Sequence, residues 1–411
     1  MKRNLRENLK MIGPGAAVAA TGVGAGDMIA AAVAGAKYGE AILWAAIFGA
    51  VIKFVLNEGI ARWQLATGET LLEGWADKLG AGVSSGFIIY LVLWSFIVAA
   101  ALIAACGLAA HAMFPQLPLI AWGAIHSLAA VVLIFLGRYR LFEALMKGFI
   151  ALMFVTILAC AAWIKPDWAA LLPALATPNI PKGSGKFILG VIGGVGGSVT
   201  LLNYSYWIRE KKWEGRSFHR PVIFDLGTAY LLTGLFGAAM IIVSAGLHPD
   251  MITEQNQMAL ALANRMETVL GAPGKWAFLI GFWGAVFTSL LGVWQGIPYL
   301  FADFMQLRRG KKTSSRPAEA GSGSWYYKGY LLYLAFPPVL LLLFKKPVWL
   351  VVIYSITSAF FMPFLALALL YMNNRRDWVG ELRNRWYINL LLTVSLLLFG
   401  YLCAVEIAEL F

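Results

Sequence analysis

The chain has 411 residues, of which 60% are hydrophobic and 13% are charged, and its formal net charge is +12. Soluble domains carry about a quarter charged residues, so this composition excludes an ordinary soluble protein and predicts an integral protein of the lipid bilayer. The positive charge does not predict nucleic-acid binding, because the basic residues lie in short loops between apolar segments.

Eleven apolar segments are long enough to cross about 30 Å of hydrocarbon, which predicts an all-α membrane protein of about eleven transmembrane helices. They are 12–36, 40–65, 85–113, 119–137, 142–164, 186–208, 222–247, 273–300, 326–344, 348–372 and 386–409. Lys and Arg concentrate in the N-terminus and in the loops at 138–140, 209–220, 306–325 and 373–385. By the positive-inside rule we expect a bacterial-type inner or plasma membrane protein with a cytoplasmic N-terminus and an outside C-terminus.

Glycine-rich stretches interrupt the first and sixth apolar segments, at residues 22–27 (GVGAGD) and 193–198 (GGVGGS). Irregular backbone at membrane depth is tolerated only where it faces protein, a cavity or a substrate. Breaks five spans apart are typical of transporters built from inverted repeats, which hold their substrate between the two broken helices. We therefore predict one transmembrane domain, 1–411, with repeats at about 12–164 and 186–372 and a peripheral last helix at about 386–409.

The sequence contains no Walker-type phosphate loop, no Gly-x-Ser-x-Gly elbow and no His-Glu-x-x-His motif. The three cysteines lie in apolar segments without paired spacing, so they predict buried core residues and neither disulfides nor a thiolate metal site. We expect neither an enzyme nor a bound cofactor.

Several short motifs, spread over nearly the whole chain, resemble the NRAMP family of proton-coupled divalent-metal transporters. They are Gly13-Pro14-Gly15, residues 35–39 (GAKYG), Leu43-Trp44, Arg62, Thr67-Gly68, Pro363-Phe364, residues 380–382 (GEL), Arg385-Trp386 and Asn389. The resemblance implies the LeuT-like fold of the amino acid–polyamine–cation superfamily, with an inverted 5+5 repeat and broken helices 1 and 6.

The chain departs from the family at its metal-binding motifs. The Asp-Pro-Gly-Asn motif of the first span falls on residues 24–27 (GAGD), and the Met-Pro-His-Asn motif of the sixth falls on 197–200 (GSVT). Two third-span carboxylates of the family's proton path fall on Ala101 and Ala104, and a tenth-span glutamine falls on Ser355. Without soft sulfur and imidazole ligands the site has lost its preference for transition metals, so we predict no metal site of the family's kind.

The remaining residues at the breaks favour a small anion, bicarbonate or a short carboxylate, because broken helices offer unpaired N–H groups and positive dipole ends. Lys53 adds an intramembrane cation, and Asp27 or another carboxylate could couple transport to a proton or cation. The predicted substrate-binding residues are Gly24, Ala25, Gly26, Asp27, Lys53, Gly194, Gly196, Gly197, Ser198 and Thr200.

Structural roles compete with these assignments. Asp27 and Ser198 are also candidates for helix N-caps. Lys53 could form an ion pair with Asp27, Glu58 or Asp303. Glycines of the sixth span, foremost Gly190 and also Gly193 and Gly194, could simply allow close helix packing.

The leading functional hypothesis is a secondary transporter that works by alternating access and carries a small anion. The second is a transporter of a hard dication such as magnesium, kept partly hydrated and held by Asp27, hydroxyls and carbonyls. Manganese or iron import ranks third, and a non-transporting sensor or a channel represents a further class.

Overall fold

The computed structural model describes residues 24–136, 139–164, 166–194, 198–250, 257–310 and 323–408, and these residues form helices without any strand. The all-α prediction is confirmed. Both ends of the chain lie outside the described residues, so the orientation of the termini stays a prediction.

Fourteen α-helices of eight or more residues follow one another along the described chain. They are α1 (Ala31–Tyr38), α2 (Leu43–Thr67), α3 (Ala81–Met113), α4 (Leu119–Phe135), α5 (Tyr139–Trp163), α6 (Trp168–Ala176), α7 (Gly185–Gly194), α8 (Asn203–Glu210), α9 (His219–Ser244), α10 (Met258–Leu307), α11 (Trp325–Ala335), α12 (Pro347–Ala359), α13 (Phe361–Met372) and α14 (Trp386–Ala408).

Each of the eleven predicted segments contains helix. Among the described residues, seven helices are long and apolar enough to cross a membrane, or eight when the bent pair Arg376–Leu382 and Trp386–Leu402 counts as one span. In this count the first two segments form a single stretch, Gly26–Thr67. Two further apolar helices, Leu119–Phe135 and Gly148–Trp163, are shorter than the 18 residues required of a span. The number of eleven spans itself stays a prediction.

Local sequence signals explain several helix ends. Helix α2 ends where Gly68 adopts a left-handed conformation (φ 74°) and its N–H bonds the carbonyl of Gln64. Immediately afterwards, Thr70 and Glu73 form a reciprocal capping box. Helix α10 begins earlier than the predicted span at 273–300 and bends at Gly271, whose φ of 74° is outside the helical range.

The packing of the helices brings the two glycine-rich stretches together. A π-helical turn, Gly26–Ala30, precedes α1 and packs against both α7 and α12. Helix α2 packs along α9 and also contacts α7 and α8. The end of α7 is therefore enclosed by the π turn, α2 and α12.

Candidate functional site

The first glycine-rich stretch is helical from Ala25 onward. Gly24 O accepts a hydrogen bond from Met28 N–H at 3.1 Å, and Ala25 has helical angles (φ −55°, ψ −41°). Asp27 lies inside the π turn with only 1% of its surface exposed, so the prediction that it caps a new half-helix is wrong. Positions 22 and 23, the start of the predicted break, lie outside the described residues.

The description of the first span begins at Gly24, and Asp27 lies in the first turn of the helix described there. A positive helix end at Asp27 requires unpaired N–H groups. Their partners would belong to the backbone before Gly24, outside the described residues, so this helix end stays a prediction. Single π turns inside helices occur frequently at functional sites, which makes this turn a candidate site in its own right.

The sixth span is interrupted, as predicted. Helix α7 ends at Gly194, Ser198 has non-helical angles (φ −137°, ψ −96°), and a 3₁₀ turn, Val199–Leu202, leads into α8. The predicted site residues Gly196 and Gly197 lie outside the described residues.

Ser198 precedes the 3₁₀ turn, but its side chain does not cap it, so the cap interpretation is wrong. Its carbonyl accepts a bond from Leu201 N–H at 3.0 Å. Its Oγ is buried and has no hydrogen-bond partner among the described residues, which is costly unless a ligand or water satisfies it. Thr200, two residues later, is partly exposed.

The two glycine-rich stretches are in backbone contact. A Cβ atom on Gly194 would lie 2.9 Å from Gly26 O and 3.4 Å from Asp27 N. A Cβ atom on Gly26 would lie 3.4 Å from Gly194 Cα. The structure thus brings together Gly26, Asp27 and Gly194, three of the predicted site residues.

The glycines of α7 differ in how tightly they pack. A Cβ atom on Gly193 would lie 2.3 Å from Ser355 O, so α7 and α12 touch through their backbones here. At Gly190 the nearest atoms would be 3.9 Å away, which is ordinary contact. Close packing therefore requires glycine at Gly193, whereas Gly190, for which a packing role was expected, has room for a methyl group.

Lys53 of α2 reaches the end of α7. Its side chain is fully buried, and its Nζ donates a hydrogen bond to Gly193 O at 2.8 Å. Asp27 is the carboxylate that acts electrostatically on this ammonium group. Two groups thus stabilise the positive charge, the carbonyl end of α7, where the helix dipole is negative, and a buried carboxylate.

The other two carboxylates considered as partners of Lys53 are engaged elsewhere. Glu58 Oε1 lies 2.8 Å from Arg62 Nε and 2.7 Å from His219 Nε2. Asp303 accepts a hydrogen bond from the Tyr206 hydroxyl at 2.7 Å. Of the three predicted ion pairs, only the one with Asp27 agrees with the structure.

Three polar side chains around Asp27 were missed by the sequence analysis. Tyr230 of α9 and Tyr354 of α12 lie within electrostatic range of Asp27. Asn57 donates a hydrogen bond to the Tyr230 hydroxyl at 3.1 Å. Asn57 follows Lys53 by four residues on α2, and this spacing of two polar residues on one helix face could have revealed it. The tyrosines offer no such signal, because aromatic residues are common throughout the apolar segments.

Helix α8, the second half of the sixth span, is attached to its neighbours by two tyrosines. The Tyr204 hydroxyl donates to Asp225 of α9 at 3.0 Å, and the Tyr206 hydroxyl donates to Asp303 of α10. All four side chains are buried. This half of the span is therefore fixed by side-chain hydrogen bonds.

The positions where the chain departs from the NRAMP motifs carry no substitute ligands in the third and tenth spans. Ala101 and Ala104 are buried alanines, and Ser355 Oγ donates to Val351 O at 2.9 Å within its own helix. In the part of the chain that the structure describes, no three His, Cys, Asp or Glu residues cluster as metal ligands.

Solved structures share this fold. A manganese transporter of Eremococcus coleocola superposes with a TM-score of 0.75 at 16% identity, covering 98% of this chain and 87% of that one. The protein MhsT, solved in complex with L-phenylalanine, has a TM-score of 0.52 at 16% identity and covers 94% of this chain and 98% of that one. At these identities the likeness establishes a LeuT-like fold.

Sequence relatives point to one family. The divalent metal cation transporter MntH of Bacillus subtilis is 27% identical over 262 residues, and the match spans 60% of this chain and 59% of that protein. An uncharacterized protein of Pasteurella multocida, PM0681, is 26% identical over 318 residues, or 75% of this chain and 73% of that one. The family model for natural resistance-associated macrophage protein-like sequences matches residues 15–409. The chain therefore belongs to the Nramp family of membrane transporters.

Proposed function

We propose that this chain transports a hard divalent cation such as Mg²⁺, bound where the first span contacts the sixth. Relatives named for divalent metal and for manganese transport support a dication as cargo. They favour this second hypothesis of the sequence analysis over the anion that ranked first there.

The observation that carries the proposal is Asp27, a buried carboxylate at the contact between the two spans. The sixth-span break offers further oxygen ligands, namely the carbonyl of Gly193 near the end of α7 and the hydroxyl of Ser198, which has no partner among the described residues. Oxygen ligands suit Mg²⁺, which commonly binds through one or two carboxylates and keeps several waters. Sulfur and imidazole ligands, which favour softer transition metals over Mg²⁺, are missing from the matched motif positions.

A small anion is the second candidate, and Lys53 is the observation that favours it. However, the ammonium group donates to Gly193 O and faces Asp27, so its charge is already compensated. This compensation reduces the attraction that the contact region would exert on an anion.

Proteoliposomes containing the full chain and a luminal Mg²⁺ dye test the proposal. We expect saturable Mg²⁺ uptake that is lost in Asp27→Asn and retained in Asp77→Asn, which alters an exposed carboxylate as a matched control. Luminal pH recorded in the same vesicles tests the predicted proton coupling through Asp27. Saturable bicarbonate flux without Mg²⁺ uptake would instead establish the anion function.

A further inference from the structure

We infer that Lys53 is a tethered cation that competes with the transported dication and thereby sets the affinity of the site. The inference rests on the proposed function, and it concerns the strength and selectivity of binding at that site. In this role Lys53 repels the cargo, whereas an anion ligand would attract it.

The first step is the burial of the charge. Lys53 is fully buried within α2, and an ammonium group inside a membrane protein is costly unless oxygen atoms or opposite charges surround it. Here it has a carbonyl partner, Gly193 O at 2.8 Å, and a carboxylate, Asp27, within electrostatic range. Both compensating groups belong to the two glycine-rich stretches.

The second step is that these groups are the same type of ligand that a divalent cation needs. A backbone carbonyl at a helix end and a buried carboxylate are oxygen donors with negative charge or potential. A dication that approaches Asp27 therefore meets the field of the Lys53 ammonium group, which already holds Gly193 O. It must either displace this group or bind against its repulsion.

The third step concerns how Lys53 changes the affinity of the site for a dication. Like charges a few ångströms apart repel strongly in a protein interior, and the repulsion doubles for a divalent ion. Lys53 therefore weakens dication binding relative to a chain with a neutral side chain at this position. It penalises a dication more than a monovalent cation, which makes it a specificity-determining residue.

Binding of Mg²⁺ to the purified full chain in detergent, measured by calorimetry, tests the inference. Lys53→Met removes the charge with similar bulk, and Lys53→Gln removes the charge but keeps a donor for Gly193 O. We expect the Mg²⁺ dissociation constant to fall by about tenfold or more in both variants. Lys328→Met, which removes a charge from an exposed lysine of α11, should leave the constant unchanged.

The outcomes separate the inference from the proposed function. Wild-type binding that is no weaker than binding by Lys53→Met and Lys53→Gln overturns the tethered-cation role while leaving Mg²⁺ as the cargo. Lack of Mg²⁺ binding and uptake in the wild type and in both variants overturns the cargo as well. If Lys53→Met does not fold, Lys53→Gln decides, since it preserves the hydrogen bond to α7.

Discussion

Among the described residues, the first span shows a π turn, Gly26–Ala30, that leads into α1, whereas the sixth span shows α7 ending at Gly194 and a 3₁₀ turn starting at Val199. The first contributes a buried carboxylate, Asp27, in the first turn of its described helix. The sixth contributes Gly193 O, which accepts a hydrogen bond from Lys53, and Gly194, which contacts the backbone of the first span. The two glycine-rich sequences therefore bring different groups to their contact, a carboxylate from the first and backbone oxygen from the second.

Substitution of Gly193, the most closely packed of the α7 glycines compared above, should have the largest effect on stability. Gly193→Val would drive a side chain into Ser355 O, which is backbone and cannot turn away. We expect a loss of about 3 kcal/mol or more in stability, since overpacking of this kind forces backbone shifts. Thermal unfolding in detergent measures it, with Gly190→Ala as the control, because that site has room for a methyl group.

Loss of the Tyr206 hydroxyl, on α8 after the sixth-span break, should have the second-largest effect on stability. In Tyr206→Phe the buried Asp303 carboxylate loses a hydrogen-bond donor, at a cost of about 1–3 kcal/mol. The same substitution at the exposed Tyr401 should leave the melting temperature unchanged. Equal melting temperatures for the two variants would mean that α8 does not depend on this hydrogen bond.

Adding a methyl group at Gly26, in the first span, should reduce stability less than the valine at Gly193 does. In Gly26→Ala the new Cβ would lie 3.1 Å from the Tyr354 ring, and the ring can shift by a few tenths of an ångström. We expect about 1 kcal/mol of destabilisation, at the low end for overpacking. A loss as large as that of Gly193→Val would show that the two stretches are equally constrained and would remove the contrast between them.

The smallest stability effect is expected for Ser198→Ala. The serine Oγ makes no hydrogen bond among the described residues, so its removal should change the unfolding free energy by at most about 0.5 kcal/mol. If this hydroxyl is a cation ligand, Mg²⁺ uptake should nevertheless decrease in proteoliposomes. Unchanged uptake with unchanged stability would remove Ser198 from the proposed site.

The sequence by itself determined the all-α membrane fold, the family and the location of the sixth-span break. These features follow from local causes, namely apolar length, glycine content and short motifs. It also singled out Asp27 and Lys53, since charged residues inside apolar segments are visible without any structure.

Only the tertiary structure decided what these residues contact. Lys53 and Gly193 are 140 positions apart, and the choice among Asp27, Glu58 and Asp303 depended on how α2 packs against α7 and the π turn. The π-helical conformation at Asp27 was equally hidden, because the glycines beside it permit many backbone conformations. Helix packing buries this turn and with it the Asp27 carboxylate.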